Sequence, residues 1–349
     1  MRKGSYLVSN DILSGRTAPQ PARTGLSIII VNYQTCKLTL ECIESIYRHP
    51  PACTFEVILI DNASNDGIEG ELRSKFPGVR FLESGENIGF ARANNLGIHN
   101  SHGEYVMLLN SDARLMPDAL SQMMLHMELN PDVGILGPRH VDRHGRFQLS
   151  CGKFPTLISE IARKIVYYRL SLNDYRVRDY LDGRYASGER VDWVSGSCML
   201  IRRQVLYDIG LLDERFFMYF EDIDLCRRAQ SAAWRVQYLP SVNVTHHGGA
   251  SARQNLLTVM IENRNSQLHF GRKYYGFAGA ALVRALLIVK YGLNLVRWTS
   301  LYCLHGLFGR ATRRSYTMAL LSKKVILKAL TFSAFHPVEP ALQPQKQNA

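Results

Sequence analysis

Four short apolar runs, each ending in polar residues, limit the folds open to this chain more than any other feature. Leu26 to Val31, Phe55 to Ile60, Val79 to Leu82 and Tyr105 to Leu109 are mostly apolar, with single polar residues at Ser27, Glu56 and Arg80. Runs of this kind read as strands buried on both faces. Between them the period changes. Cys36, Leu40, Ile43 and Tyr47 recur at helical spacing, and helices are predicted from Phe90 to about Asn100 and from Pro117 to about Leu129. Pro117 suits a first helical turn, where its missing N–H costs nothing. A fifth strand is predicted over Val133–Leu136. Strand–helix alternation of this sort gives an α/β fold with a mostly parallel central sheet and helices on both faces. Residues 151–190, rich in Arg and aromatics, read as a variable insertion. Residues 191–247 read as compact again, with a helix near Glu221–Ser231 and strands at Arg235–Leu239 and Val242–Val244.

Open α/β sheets bind ligands beyond the carboxyl ends of their strands, so the residues there matter most. They are Asn32-Tyr33, Asp61-Asn62-Ala63-Ser64, Asn87-Ile88-Gly89 and Asn110-Ser111-Asp112. Turn chemistry explains any one of these segments. Four in succession on one edge suit a nucleotide. The Asp61 carboxylate can accept from a base N–H or a ribose hydroxyl. Gly89 allows close backbone approach. Asp112 is a hard oxygen ligand for Mg²⁺ or Mn²⁺ beside a diphosphate. Capping or a solvated turn is the plainer reading of both aspartates.

Downstream, Phe216 to Asp224 sets Glu221, Asp222 and Asp224 behind aromatic residues and a methionine. A helix dipole favours acids in a first turn. Burial would also raise a carboxylate toward general-base range. His246 alternates with Val242 and Val244, then ends its strand as His246-His247-Gly248-Gly249, where it could be a core residue, a metal ligand or a phosphate contact.

The charge is placed unevenly. Residues 263–338 carry twelve Lys/Arg and no acid, which equals the net +12 of the chain. The remainder is neutral on balance, so a basic coat for nucleic acid is not expected, and no nucleic-acid recognition motif is present. Residues 274–309 are apolar but interrupted by Arg284, Lys290 and Arg297, so they are expected to lie in an anionic membrane surface rather than span it. Packing on the body or on a partner subunit is the alternative. The seven cysteines are scattered and form no CxxC, consistent with a reducing compartment.

Taken together, the motifs resemble those of bacterial family 2 glycosyltransferases of the rhamnosyltransferase-like branch. IIIVNY, LIDNAS, ENIGFARANNLGI, YVMLLNSD, DWVSGSCMLIRR, FFMYFEDIDLCRR and VTHHGG occur in the family's order between about Leu26 and Arg264. The resemblance implies a GT-A fold, Rossmann-like, followed by a basic amphipathic helical region. It places Asn32, Tyr33, Asp61, Asn87, Gly89, Asn95, Asn110 and Asp112 at the nucleotide-sugar. It makes Asp222 the catalytic base, and gives Asp112 with His246 to a divalent cation (Mg²⁺ or Mn²⁺), His247 being the alternative ligand. Trp193, Glu221 and Arg264 become weaker acceptor or phosphate contacts. The family's DxD-like motif reads Asn110-Ser111-Asp112 here, leaving one carboxylate. Processive relatives carry Gln-x-x-Arg-Trp and several membrane spans. This chain has Asn294-Leu295-Val296-Arg297-Trp298 instead, which points to single-sugar transfer.

The implied activity is inverting, metal-dependent transfer of one sugar, with rhamnose the sugar the branch suggests, from a dTDP- or UDP-linked donor to a glycan or lipid-linked acceptor in cell-surface polysaccharide assembly. The implied place is the cytoplasmic face of the inner membrane. The expected organisation is a leader (1–24), a catalytic domain (25–265, with a nucleotide-binding half over 25–139 and an acceptor half over 140–265), a membrane-associating region (266–335) and a tail (336–349). A silent nucleotide-sugar-binding scaffold stays open as an alternative. A sugar nucleotidyltransferase would need a Gly-rich basic loop after the first strand, where this chain has Asn32-Tyr33-Gln34-Thr35. The sequence leaves oligomeric state, including a homo-oligomer, undecided.

Overall fold

The computed structural model describes residues 25–156, 166, 168–170, 172, 174–188, 190–249, 256–307 and 313–331. The expected leader (1–24) and tail (336–349) lie outside them. In chain order the elements are β1 (Leu26–Asn32), α1 (Cys36–Arg48), β2 (Phe55–Asp61), α2 (Ile68–Lys75), β3 (Arg80–Glu83), α3 (Gly89–His99), β4 (Tyr105–Asn110), β5 (Ala113–Leu115), α4 (Ala119–Leu129) and β6 (Val133–Val141). Then come β7 (Phe147–Gln148), β8 (Cys151–Gly152), α5 (Tyr175–Tyr185), β9 (Trp193–Val194), β10 (Cys198–Arg202), α6 (Arg203–Ile209), α7 (Glu221–Ser231), β11 (Arg235–His246), α8 (Leu256–Leu307) and α9 (Arg313–Thr331).

The main sheet runs β3-β2-β1-β4-β10-β6-β11-β5, with β7 paired to β6. The β1–β2, β1–β4, β2–β3 and β6–β11 pairs are parallel, while β10 and β5 run antiparallel to their neighbours. Both faces are covered. Ile29, Ile58 and Ile60 enter one core, and Leu26, Ile28, Ile30, Val57 and Leu59 enter the other. Alternate side chains of one strand thus feed opposite cores, and each is worth roughly 1.5–3 kcal/mol when buried.

Two sequence expectations need correction. The predicted strands at Arg235–Leu239 and Val242–Val244 are one strand, whose register shifts between Leu239 and Asn243. Pro240 lies within that irregularity and has no N–H to give a regular ladder. Pro117 stands before the Asp118 N-cap of α4 rather than in its first turn.

Register sets the site. Asn32 pairs with Asp61, Val31 with Asn110, and Asp61 with Glu83, so these strand ends lie level. Antiparallel β10 brings Ser197 to the same edge, where its carbonyl accepts from the Asn110 N–H at 2.9 Å. Pairing of His246 with Ala113 brings the last residue of β11 beside Asp112.

The C-terminal helices begin earlier than expected, so the 265/266 boundary falls inside α8. That helix breaks at Gly276, where φ is 65° and ψ is −158°. Its first part packs on the body, with Phe270 entering the core beneath α7. Its second part packs on α9 through Leu287 and Tyr291 against Leu321, Val325 and Ala329. The outer face of the second part is apolar, with Leu286, Val289, Leu293 and Val296 all more than half exposed. By length and composition, α8 is the one helix among the described residues able to cross a membrane. The three interrupting cations therefore do not exclude a span as the sequence reading supposed.

Helix α3 can approach the sheet because position 97 has no side chain. A Cβ there would lie 2.5 Å from Ile29 Cγ2 and 2.8 Å from Ile60 Cδ1. Gly97→Ala is expected to lower unfolding free energy by about 1–3 kcal/mol. Gly70→Ala in α2, where a Cβ meets nothing within 4 Å, should instead raise it by up to ~1 kcal/mol. Denaturant titration distinguishes the two.

Candidate active site

A cavity of about 240 Å³ opens at the level edge of the sheet. Tyr33, Asn62, Asn87, Gly89, Asn110 and Asp112 line its sheet side. Ser195 to Ser197 contribute a second wall, and Phe217 to Tyr219 with Glu221 and Asp222 a third. His246 completes the sheet side, while Thr258 and Val259 enter from α8.

The Asp112–His246 pair rests on β5–β11 register. His246 Nε2 lies 3.2 Å from Asp112 Oδ1, and Asn110 Nδ2 lies 3.4 Å from the same ring nitrogen. Gln148 fixes the other side of the ring. Its Nε2 donates to the His246 carbonyl at 2.9 Å, so its Oε1 is the group 3.1 Å from His246 Nδ1. An amide oxygen only accepts, so Nδ1 carries the proton there. In the neutral ring, Nε2 then presents a lone pair toward the Asp112 carboxylate. Two acceptors at that separation need a proton or a cation between them. One carboxylate and one imidazole, with further positions left to phosphate oxygens and water, fit Mg²⁺ or Mn²⁺. Among the described residues no group of three or more His, Cys, Asp or Glu could hold a metal. His247 contributes its backbone, donating from N–H to the Asp112 carbonyl at 3.0 Å.

The three acids of α7 divide by environment. Half-buried Asp222 reaches the cavity, where its Oδ2 accepts from the Gly196 N–H at 3.0 Å and its Oδ1 from the Ile223 N–H at 2.8 Å. Glu221 is 4% exposed, and its Oε2 is buried with no hydrogen-bond partner. Burial first, then the neighbouring charges of Asp222 and Asp224, push its carboxyl well above the ordinary range. Asp224 is fully buried and is not among the residues that line the cavity. It pairs with Arg228 at 2.8 Å and Lys273 at 2.5 Å, and accepts from Tyr274 Oη at 2.7 Å.

The loop before α7 is strained and tightly held. Tyr219 and Phe220 have φ of 65° and 71°, a region that costs a side chain of this kind about 1–3 kcal/mol. The Phe217 carbonyl accepts from the Phe90 N–H at 2.7 Å, and Ser266 Oγ donates to the Met218 carbonyl at 2.9 Å. Gly89 makes the first contact feasible, since its φ is 84° and a Cβ would lie 2.5 Å from the Phe217 oxygen. Its backbone is thus closely approached by this loop, and it also lines the cavity in which the sequence placed a ligand.

With this geometry in place, comparison with known proteins decides the family. Residues 27–210, more than half of the chain, match the family model Glycosyl transferase family 2. The chain belongs to that family. This glycosyltransferase is 29% identical over 272 residues to an N-acetylglucosaminyl-diphospho-decaprenol L-rhamnosyltransferase of Mycobacterium tuberculosis (strain ATCC 25618 / H37Rv), covering 72% of this chain and 88% of the relative. It is 26% identical over 201 residues to rhamnosyltransferase WbbL of Escherichia coli (strain K12), covering 55% and 73%. A mannosyltransferase from Pyrobaculum calidifontis, solved with GDP-Man and Mn²⁺, matches the fold with a TM-score of 0.50 at 16% identity, covering 90% of this chain and 91% of that one. The fold is GT-A-like, and the rhamnosyltransferases stand among its relatives.

Several residues expected at the glycosyltransferase site lie outside the cavity wall. Asn32 is fully buried beneath it, with Nδ2 donating to Asp61 Oδ1 at 2.8 Å and Ser64 Oγ at 2.9 Å. Its Oδ1 accepts from Thr35 Oγ1 at 3.0 Å and Thr39 Oγ1 at 2.7 Å. Asp61 is held by Asn32 and by the Ser64 N–H, so both side chains support the edge. Asn95 ties α3 to the Leu212 backbone and Glu214. Trp193 is buried, with Nε1 donating to the Lys153 carbonyl at 2.9 Å. Arg264 on α8 donates to Tyr291 Oη at 2.9 Å and to Gln267. Sequence reading placed Asn62 at the sheet edge without giving it a role, and missed Gln148 and Thr258. Nothing local marks either of the last two.

The Glu221 environment gives a pH prediction. A folded-state pKa above the unfolded value of about 4.3 means that the native state binds more protons, so stability falls as pH rises above that value. The fall ends once the raised folded value is passed. Glu221→Gln keeps the shape without the charge. Its stability advantage over the native chain should grow from pH 4 to pH 8 by chemical denaturation. Parallel profiles would contradict a buried, proton-retaining carboxyl.

Proposed function

We propose that this glycosyltransferase is inverting and non-processive, moving one sugar from a nucleoside-diphosphate donor to a lipid-linked saccharide during cell-surface polysaccharide assembly. The observation that carries this reading is the meeting of Asp222, Asp112 and His246, from three distant segments, in one cavity. Rhamnose on dTDP is the favoured donor, because relatives over most of the chain are rhamnosyltransferases, one of them named a dTDP-rhamnosyl transferase; UDP is the second choice. A lipid diphosphate carrier is supported by the name of the mycobacterial relative.

Tyr33, Asn62 and Asn87 supply the wall for the nucleoside, over the Asn32–Asp61 support. Asp112 and His246 would hold the cation, Mg²⁺ or Mn²⁺, which when bound would supply positive charge for the departing diphosphate. Asp222 takes the proton from the acceptor hydroxyl while that oxygen attacks the anomeric carbon and the bond to the diphosphate breaks. The Gly196 N–H keeps the Asp222 carboxylate oriented for that transfer. Holding both reactants at one sheet edge lowers the entropic part of the barrier.

The helical unit would meet the anionic cytoplasmic face of the membrane. Leu286, Val289, Leu293 and Val296 share one exposed face of α8, and no acid accompanies the surrounding Lys and Arg. Burying such a side chain contributes about 1.5–3 kcal/mol, and each basic residue near anionic lipid adds about 1 kcal/mol.

Asp222→Asn tests the base assignment. Turnover should fall by 10³-fold or more, while the affinity for donor nucleotide changes less than threefold. Equal loss of turnover and nucleotide binding would assign Asp222 to donor binding instead.

A further inference from the structure

A second hollow adjoins the active site. Between the first part of α8 and helix α9 lies a groove of about 410 Å³, lined by Thr258, Ile261, Glu262, Lys324, Leu327 and Lys328 among others. Thr258 also lines the catalytic cavity, so the two hollows meet at that residue. Glu262 follows one helical turn later, about 6 Å along the axis.

The lining has a distinct chemistry. Lys324 and Lys328 stand one turn apart on α9, both exposed, and α9 contains no acid. Leu327 lies between them in sequence and is 51% exposed. Ile261 supplies an apolar surface from α8. The one acid, Glu262, has its Oε2 accepting from Asn265 Nδ2 at 2.9 Å. Paired ammonium groups suit phosphate oxygens as point charges. Apolar side chains beside them suit the first carbons of a lipid. Neither a free sugar nor a nucleotide base would use that combination.

We infer that this groove binds the phosphate and proximal lipid of the acceptor itself, an isoprenoid-type phosphate or diphosphate ester. Lys324 and Lys328 hold the phosphate oxygens, and Ile261 with Leu327 receives the first lipid carbons. The saccharide passes Thr258 and Glu262 to present its hydroxyl to Asp222. The inference rests on the reading that the acceptor is lipid-linked, and it adds where the link is gripped. It also explains why α8 and α9 are packed together next to a catalytic cavity instead of serving only as a distant anchor.

The test uses the full-length protein in mild detergent, with farnesyl diphosphate and inorganic pyrophosphate as probes. Vesicles of phosphatidylcholine with 30% phosphatidylglycerol probe bulk membrane charge, and dTDP with Mn²⁺ probes the donor site. In the Lys324→Gln/Lys328→Gln variant, farnesyl diphosphate binding should weaken at least tenfold. Nucleotide binding should stay within twofold of the native chain, and vesicle binding should fall by much less than farnesyl diphosphate binding, because the other Lys and Arg of the helical unit remain. Inorganic pyrophosphate should bind the native chain at least tenfold more weakly than farnesyl diphosphate. Unchanged farnesyl diphosphate binding in the variant, or no binding by the native chain, overturns the groove assignment. Parallel loss of vesicle binding also overturns it and gives the lysines to bulk anionic lipid. Failure of the native chain to bind any nucleotide would instead strike the proposed reaction, independently of the groove.

Discussion

A buried amide holds the edge of the sheet together. Asn32 gathers Asp61, Ser64, Thr35 and Thr39 around one side chain that water does not reach. Thr35 Oγ1 lies 2.9 Å from Ser111 Oγ, so the network runs from the first strand to the turn carrying Asp112. Asp66 joins from the side and accepts from the Cys36 N–H at 2.8 Å, capping α1 where Thr35 gives no side-chain cap. In a low-dielectric setting each such group is costly to leave unpaired, at about 1–3 kcal/mol, so the network tolerates few arrangements. The Asn-Tyr and Asp-Asn segments at the strand ends thereby acquire two roles. Asn32 and Asp61 build the floor, while Tyr33 and Asn62 face the cavity.

A second joint connects the catalytic body to the C-terminal helices. Lys273 lies between Asp213, at 2.7 Å, and Asp224, at 2.5 Å, and Arg215 also pairs with Asp213. Burial alone would raise the Asp213 carboxyl, but Arg215 and Lys273 outweigh it and hold it well below the usual range. Asp224 sits two residues beyond Asp222 on the same helix. The charges that fasten α8 therefore also fix the helix presenting the proposed base. Ser266 acts in parallel by holding the strained Phe217–Phe220 loop. A helical unit attached in this way is part of the active-site wall, as Thr258 and Val259 already indicate.

Much of this was legible in the sequence because it is local. Mostly apolar runs and helical spacing gave the parallel half, and each strand end could be read off as polar. The joint order of motifs pointed to the family that the comparison establishes. What escaped is non-local. Ala113–Leu115 is too short for any periodicity, yet its pairing with β11 puts His246 beside Asp112. Cys198–Arg202 looks like any buried run, and its antiparallel insertion between β4 and β6 carries no sequence mark. The Glu-Asp pair looks equivalent in sequence, whereas burial separates a cavity-facing Asp222 from a desolvated Glu221. Gln148 reaches His246 from 98 residues away, and no spacing rule anticipates that. Asn95 and Trp193 fit their motifs but are spent on packing the domain.

The polar sheet edge is proposed as a metal-assisted nucleotide-sugar site. Calorimetric titration of the native chain with dTDP, UDP and GDP, each with Mn²⁺ and then with a chelator, tests it without knowledge of the acceptor. dTDP should bind most tightly, and the chelator should weaken it at least tenfold. Binding of none of the three by a folded protein, or binding indifferent to the metal, would contradict the roles given to the cavity and to Asp112 with His246.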